Sequence, residues 1–328
     1  MTITVIIPYY NAENTLHRAI ESVVTQDFPI NELILVDNNS VDKSNEIAYE
    51  LAKKYQKILL INEKMQGANF ARNTGAALAT GDWLQFLDAD DELLPGKLSH
   101  QAALIQTFQK DVGLICAAAI IEVLNVKNIS HRYIKPVPED IIAALISGLA
   151  GTTCSNLWNK KIFDQVGGWD TKYKFHDDPI LVFNYLLNGA GIFIDNQPLT
   201  LVHQDLTIDS VSRPQALQQA ADLLSETDEY YDKIAKYIFK QYPDRSDYRQ
   251  LIQNQRALIY CNYTFQYGSN LHDEINAFKN KNDIRPDFLT KLRAYYYYLI
   301  NNKVNSSGVL NYPILFWQAI LNSHKLFQ

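Results

Sequence analysis

The sequence predicts an α/β fold, with a mostly parallel β-sheet flanked by helices and an α-helical C-terminal extension. Three observations predict it. Short apolar segments alternate with amphipathic segments through the first third of the chain, which is typical of βαβ units. The second of these segments, residues 32–36, is apolar throughout, as expected of a parallel strand buried on both faces. After about residue 214, long stretches rich in Leu, Ile and Tyr replace the strand pattern, so we predict two units, residues 1–213 and residues 214–328.

The first four βα repeats can be placed in order. Apolar residues at helical spacing predict a first helix over residues 13–26. A second helix is predicted over residues 42–54, with Asp42 as its N-cap, and a third over residues 70–79, closed by Gly81. The predicted strands of this region are residues 5–7, 32–36, 58–61 and 83–87.

The later elements are less regular. A strand region is predicted over residues 112–124, and a helix is expected within residues 136–150. Residues 157–166 continue the fold, and a further helix is predicted over residues 178–187. Two late strands follow at residues 192–194 and 199–202, the second ending at His203.

Composition excludes several classes of protein. With 47% hydrophobic and 20% charged residues, the chain can bury a large core and is not a disordered polymer. Its net charge of −6 argues against nucleic-acid binding. No apolar run approaches the ~20 residues of a membrane helix. Cys116, Cys154 and Cys261 lie far apart, which predicts free thiols and no zinc site. We expect a cytoplasmic protein, with a peripheral position at the inner face of the membrane left open.

Polar residues follow three of the predicted strands. Tyr9, Asp37 and Asp88 each stand at a strand's carboxyl end, where open α/β sheets bind their ligands. Asp88-Ala89-Asp90 is the strongest of these features, because two carboxylates at a strand end can hold Mg²⁺ or Mn²⁺ together with a substrate diphosphate. The alternative is an acidic turn that caps the next helix.

Four motifs occur in a fixed order, at residues 5–11, 36–42, 67–75 and 81–91. Together they closely resemble the nucleotide-sugar-binding half of family 2 glycosyltransferases, which have the GT-A fold, a Rossmann-like sheet flanked by helices. The resemblance covers about residues 1–205 and implies an inverting glycosyltransferase that depends on a divalent metal.

The resemblance implies donor-binding roles for five residues. Pro8 and Tyr9 would line the base pocket, and Asp37 would hydrogen-bond the base or ribose. Asn38 replaces the commoner second aspartate and offers the base both a hydrogen-bond donor and an acceptor, and the resemblance implies uridine as the base. Arg72 would contact the diphosphate or the base. A surface tyrosine, an Asx-turn aspartate and a surface salt-bridge arginine are the structural alternatives for Tyr9, Asp37 and Arg72.

Metal binding is implied for three residues. Asp88 would contact the ribose or the metal, and Asp90 would be the main protein ligand. His203 could reach the metal or the diphosphate, although a lone histidine is more often structural. Asp91 is expected to cap the following segment instead.

The general base is implied by a second motif. Residues 167–170, Gly-Gly-Trp-Asp, precede Asp177 and Asp178 at a predicted helix start. In the family the second residue of an acidic pair at this place is the base, so the resemblance favours Asp178, with Asp177 as the less favoured choice. The usual arginine further along this helix is replaced by Asn184.

The predicted reaction transfers a sugar from a nucleotide-diphosphate donor, a UDP-sugar by resemblance, to a hydroxyl of a glycan or lipid-linked acceptor in cell-surface polysaccharide assembly. The alternative is a non-catalytic module that binds a sugar nucleotide. A nucleotidyltransferase is disfavoured because no glycine-rich signature loop follows Pro8.

The C-terminal unit carries no catalytic motif. We expect four of its acidic residues to lie on a solvated helix face: Asp222, Glu226, Asp228 and Glu229. We expect its helices to pack on the sheet or to form a homodimer. Alternatively, the aromatic stretch at residues 312–327, with Lys325, could meet a lipid surface.

Overall fold

The computed structural model describes residues 1–107, 112–124, 130–205, 216–287 and 290–291. This part of the chain contains eleven strands and ten helices. The predicted boundary at residue 213 and the aromatic stretch at residues 312–327 lie outside the described residues.

The first part of the chain alternates strands and helices as predicted. Its elements are β1 (Ile3–Tyr9), α1 (Leu16–Val24), β2 (Glu32–Asp37), α2 (Ser44–Lys54), β3 (Ile58–Asn62), α3 (Ala68–Leu78), β4 (Trp83–Phe86), β5 (Glu92–Leu93) and α4 (Lys97–Thr107).

The remaining elements are first mixed and then helical. They are β6 (Val112–Ala117), β7 (Ala119–Leu124), β8 (Ser130–Lys135), α5 (Ile141–Ile146), β9 (Leu157–Asn159), α6 (Lys160–Val166), α7 (Asp177–Leu187), β10 (Gly191–Asp195), β11 (Thr200–Asp205), α8 (Leu217–Gln241), α9 (Ser246–Tyr267) and α10 (His272–Lys281).

A seven-stranded sheet in the order β10-β6-β9-β4-β1-β2-β3 forms the centre of the molecule. All neighbouring pairs are parallel except those of β9, which runs antiparallel to β4 and β6. Tyr9 and Asp37 are partners in the β1–β2 register, so the carboxyl ends of these strands lie side by side. The predicted α/β fold with a mostly parallel sheet is confirmed.

A second sheet of four strands, in the order β5-β11-β7-β8, was not predicted. Two of its strands give little signal, because β5 has two residues and β8 has the polar sequence Ser-His-Arg-Tyr-Ile-Lys. The strand expected to end at His203 continues as β11 to Asp205, so the predicted end is wrong and His203 lies inside the strand.

Helix boundaries differ from the predictions by up to three residues. The first helix begins at Leu16, because the preceding residues form a turn in which the Leu16 N–H donates to the Ala12 carbonyl at 2.9 Å. Asp42 lies one residue before the N-cap of α2, and its carboxylate accepts from the Ser44 N–H at 3.0 Å. It therefore supports the helix start from outside.

Helix α3 lies against the central sheet because Gly75 has no side chain. A Cβ atom at Gly75 would stand 2.6 Å from Cγ2 of Ile6 on β1, too close for any larger residue without a shift. This close approach sets the position of Arg72, which lies one turn before Gly75 in the same helix.

The C-terminal helices share a hydrophobic cluster with the sheet. Residues of α8 and α9 belong to the same buried cluster as Ile6 of β1. The hydroxyls of Tyr230 and Tyr231 donate to the carbonyls of Leu145 and Ile146 at 2.7 and 2.8 Å. None of the described helices is long and apolar enough to cross a membrane. The division into two units, the homodimer and the membrane contact stay predictions.

Candidate active site

A buried arginine joins the two halves of the predicted site. Arg72 is 5% exposed and donates from Nη2 to Oδ1 of Asp88 at 2.7 Å. Its Nη1 donates to Oδ2 of Asp177 at 3.0 Å and to Oδ1 of Asn69 at 2.9 Å. The guanidinium also lies over the Trp169 ring, 4.9 Å from its centroid. The acidic loop after β4 and the start of α7 therefore meet across one cation.

Asp178 has a different environment from Asp177. The Asp177 carboxylate is paired with Arg72, whereas the described hydrogen-bond donor to the Asp178 carboxylate is the neutral Thr153 hydroxyl, at 2.6 Å. Burial, followed by repulsion from Asp177, raises the pKa of Asp178 to about 7. A carboxyl group with a pKa near neutrality can remove a proton at neutral pH, and the choice of Asp178 over Asp177 as the base stays a prediction.

The loop that carries Thr153 also reaches the acidic loop. Sγ of Cys154 accepts from the Asp88 N–H at 3.2 Å, and the thiol donates to Oδ2 of Asp91 at 3.0 Å. Asp91 is buried and accepts the His203 N–H at 2.9 Å through its other oxygen. The expectation that Asp91 caps the next segment is wrong, because its carboxylate ties the acidic loop between β4 and β5 to β11 and Cys154.

Two sets of ligands could hold a divalent cation. Ligand atoms of Asp88, Asp91 and Cys154 lie within 4.8 Å of one another. The Cys154 sulfur is a soft ligand, and both Asp91 oxygens already accept hydrogen bonds, one from the Cys154 thiol and one from the His203 N–H. This set suits a hard cation poorly.

The predicted pair, Asp88 and Asp90, offers only carboxylate oxygens, and its metal role stays a prediction. Asp90 is exposed, and Arg18 fixes its backbone by donating to its carbonyl at 2.6 Å. No other described residue donates to the Asp90 carboxylate or to Oδ2 of Asp88, whose side chain is 34% exposed. Although Asp90 is exposed as a residue, the loop partly desolvates its carboxylate, and this effect, followed by repulsion from Asp88, raises the pKa of Asp90. A divalent cation between the two carboxylates would relieve this repulsion.

His203 is held by two carboxylates. Its Nε2 lies 2.8 Å from Oε1 of Glu92, and its Nδ1 lies 3.0 Å from Oε2 of Glu122. Arg18 and Arg132 pair with the same two glutamates. Metal ligation by His203 would require the release of one of these contacts, and its predicted role stays a prediction.

Four of the residues predicted to bind the donor, Pro8, Tyr9, Asp37 and Asn38, lie at the carboxyl edge of β1 and β2, and they are buried. Tyr9 follows Pro8 in β1, and the Tyr9 hydroxyl donates to Oδ1 of Asn45 at 2.7 Å. The Asp37 carboxylate accepts from the Ser40 N–H at 2.9 Å, in the turn-forming contact considered as an alternative above. These contacts position the edge, and the donor-binding roles stay predictions.

Asn38 has a clear structural task. Its amide nitrogen donates to the Met65 carbonyl at 2.7 Å, and its amide oxygen accepts the Gly67 N–H at 2.7 Å. It thereby ties the end of β2 to the loop that starts α3. An aspartate here would lack the amide donor, which explains an asparagine in physical terms.

Two buried or nearly buried ionisable residues around the candidate site are not predicted from the sequence. Lys97 is buried, and its Nζ donates to the Ser155 carbonyl at 2.5 Å, beside Thr153 and Cys154. Burial lowers the pKa of Lys97 to about 7. The sequence predicts that Glu226 lies on a solvated helix face, which is wrong, because its side chain is 12% exposed and contacts the segment before α7. No sequence pattern marks either residue.

Comparisons with solved structures agree with this architecture. TarS from S. aureus, in a crystal structure with UDP-GlcNAc, superposes with a TM-score of 0.65 at 17% identity, covering 94% of this chain and 91% of that one. The mannosyltransferase PcManGT from Pyrobaculum calidifontis, solved with GDP-Man and Mn²⁺, gives a TM-score of 0.54 at 16% identity, with 99% and 86% covered. The chain therefore has the GT-A fold.

Sequence comparisons identify the family. The amylovoran biosynthesis glycosyltransferase AmsB of Erwinia amylovora is 25% identical over 303 residues, which cover 90% of this chain and 97% of AmsB. Two other relatives, from Escherichia coli and Streptococcus pneumoniae, are matched over only 27% and 16% of their lengths. The model of glycosyl transferase family 2 matches residues 4–169, half of the chain. On this match and on its fold, the chain belongs to glycosyl transferase family 2.

Proposed function

We propose that the protein is an inverting glycosyltransferase, which moves a sugar from a nucleotide-diphosphate donor to a hydroxyl group of a glycan or lipid-linked acceptor. The observation that carries the proposal is the Arg72 bridge. It brings Asp88 of the acidic loop to the helix start that bears Asp178, as a single site for donor and acceptor requires.

Asp178 is the general base of the proposed reaction. Its carboxylate accepts the proton of the acceptor hydroxyl while that oxygen forms a bond to the anomeric carbon of the donor sugar. The bond from the anomeric carbon to the diphosphate breaks at the same time, and its electron pair leaves with the diphosphate oxygen. Attack from the face opposite the leaving group inverts the anomeric configuration.

Arg72 and the acidic loop serve the donor side. Arg72 holds Asp88 by one oxygen and leaves the other for the donor or its cation. Asp90 and Asp88 would hold Mg²⁺ or Mn²⁺, which when bound neutralises charge on the departing diphosphate. The carboxylate oxygens fit either ion, and PcManGT, with the same fold, was solved with Mn²⁺.

A UDP-sugar is the proposed donor class, and polysaccharide assembly is the proposed context. The sequence motifs support the uridine assignment, and TarS was solved with UDP-GlcNAc. The name of AmsB, which aligns over most of both chains, supports polysaccharide biosynthesis.

A donor screen tests the proposal. The purified protein with Mn²⁺ is incubated with individual nucleotide sugars and candidate acceptors, and released nucleotide diphosphate is measured. We expect release that depends on acceptor, with at least one UDP-sugar, and a product whose anomeric configuration by NMR is opposite to the donor's. Calorimetric binding of a nucleotide sugar without turnover on any acceptor would instead indicate a non-catalytic binding module.

The metal assignment gives a separate prediction. In Asp90→Asn, the gain in UDP affinity that Mn²⁺ produces should be at least about tenfold smaller than in the wild type. The reason is that a neutral amide replaces the more exposed of the two carboxylates. Calorimetric titration of UDP at several Mn²⁺ concentrations measures this. Asp82→Asn, at the opposite edge of the sheet, is the matched control and should leave the titration unchanged. An Asp90→Asn titration equal to that of the wild type would reject Asp90 as a ligand.

A further inference from the structure

Glu226, on helix α8, makes an unusual set of contacts for a residue of the C-terminal helices. Its carboxylate accepts three consecutive backbone N–H groups, from Lys174 at 3.0 Å, Phe175 at 2.8 Å and His176 at 2.7 Å. The Nδ1 atom of His176 lies 3.3 Å from the same carboxylate. These residues immediately precede Asp177 and Asp178, so one side chain of α8 holds the entry to the helix that carries the base.

Charge and burial make this contact stronger than an exposed ion pair. The Glu226 side chain is 12% exposed. Burial alone would raise the pKa of Glu226, but the hydrogen bonds from His176 and from the three N–H groups outweigh it and lower the pKa. The carboxylate is therefore ionised at neutral pH, and charge-assisted bonds to N–H groups are stronger than neutral ones.

Further contacts hold the segment before α7 against α8. His176 is the N-cap of α7, and its carbonyl accepts the Ile180 N–H at 3.0 Å. Its ring packs on Tyr230 of α8 with centroids 5.0 Å apart. One turn from Glu226, Glu229 accepts the Tyr173 hydroxyl at 2.7 Å. The segment before the base is thus held on α8 at several successive residues.

On the far side, helix α3 holds the same segment. The side-chain amide of Asn69 donates to the carbonyls of Asp170 and Tyr173 at 3.3 and 3.0 Å. These contacts hold the carbonyls of the segment, whereas Glu226 holds the N–H groups nearest to Asp178. The family match ends at residue 169, so the base and the α8 contact both lie beyond it.

We propose that Glu226 is a positioning residue, which acts through the backbone of residues 174–176 to hold the Asp178 carboxylate at the distance and angle that proton removal requires. This inference rests on the proposed function, since it assigns Glu226 a role in that reaction. A displacement of about 1 Å at a reacting group can lower a rate about a hundredfold, so a backbone anchor two residues from a base is expected to act on kcat.

Steady-state kinetics of three variants test the role. Glu226→Ala should lower kcat by about 10- to 100-fold while the KM for the nucleotide sugar changes by less than about threefold, because Glu226 contacts the segment before the base and not the residues proposed to bind the donor. Glu226→Gln keeps one acceptor oxygen and should recover part of kcat. Asp222→Ala, one turn earlier on the same helix and bonded to Gln218, is the matched control and should retain full activity.

Amide hydrogen exchange gives a readout that needs no activity. In the wild type, the N–H groups of residues 174–176 should exchange slowly, and in Glu226→Ala they should exchange faster while the central sheet stays protected. Rapid exchange of these groups in the wild type would overturn the proposal, even if the alanine variant failed to fold.

The outcome for Asp178→Asn separates the two proposals. Full activity of Asp178→Asn would reject the proposed base and, with it, the reason for a positioning residue. An inactive Asp178→Asn beside a fully active Glu226→Ala would reject the positioning role alone. A rise in donor KM with unchanged kcat in Glu226→Ala would also reject it.

Discussion

Replacement of Asp178 by asparagine is expected to lower kcat by about 10²- to 10⁴-fold and to leave nucleotide-diphosphate affinity within about threefold of the wild type. Asparagine preserves the shape of the side chain and an acceptor for the Thr153 hydroxyl, which donates to Oδ1 at 2.6 Å. It cannot take a proton from the acceptor hydroxyl. Turnover by released nucleotide diphosphate and affinity by calorimetry measure the two effects separately.

The pH profile of the wild type provides a second measurement of the same group. Burial and Asp177 raise the pKa of Asp178 to about 7, and the base must be ionised to act. We therefore expect kcat/KM to rise with pH through about 7 and to level off above it. A flat profile between pH 5.5 and 8.5, or a fully active Asp178→Asn, would contradict the assignment.

Stability serves as the control for this variant. The pKa of Asp178 is higher in the folded protein than its unfolded value of about 4, so its ionisation disfavours the folded state as pH rises from about 4 through 7. Asp178→Asn removes this ionisation. At pH 8 its Tm should equal or exceed that of the wild type, which would show that lost turnover does not come from unfolding.

Replacement of Arg72 by methionine is expected to lower the free energy of unfolding more than any of the other substitutions proposed for this protein. The change removes a buried cation and leaves Asp88 and Asp177 without their counter-charge. Breaking a buried ion pair typically costs about 3–5 kcal/mol, and we expect the lower end because the Asp88 side chain is 34% exposed. Urea unfolding at pH 8, followed by circular dichroism, measures the free energy of unfolding.

Arg132→Met is the matched control for Arg72→Met. Arg132 pairs with Glu122 at 2.7 Å, but its side chain is 59% exposed, so the expected loss is less than about 1 kcal/mol. Equal losses in the free energy of unfolding for the two variants would show that the Arg72 bridge contributes no more to stability than an exposed ion pair. Arg72→Lys keeps the charge without the two-pronged donor geometry and should fall between the two.

The sequence could predict the elements that have a regular hydrophobic period. The buried parallel strands and α1 to α3 carry that signal over several residues, and the acidic loop follows a strongly apolar strand. The antiparallel strand β9 and the short strand β5 have three and two residues, too few for a period to appear. Their pairing depends on contacts between distant parts of the chain.

The site shows the same division. The motifs predict Asp88 and Asp178, because their residue types and their positions after a strand and before a helix suit the chemistry. They do not predict that Arg72 joins Asp88 to Asp177, since Arg72 and Asp177 are 105 residues apart in the sequence. Glu226 has the pattern of an exposed helical residue, and only the approach of residues 174–176 turns it inward.

The common interior of the sheet and the C-terminal helices restricts how this chain could have been assembled in evolution. The segment matched by the family model ends at residue 169, yet Tyr230 and Tyr231 of α8 complete the hydrophobic cluster that includes Ile6 of β1. A gene fusion that transplanted only the matched segment would leave that cluster uncovered. The matched segment and α8 therefore have to be inherited together for this interior to stay closed.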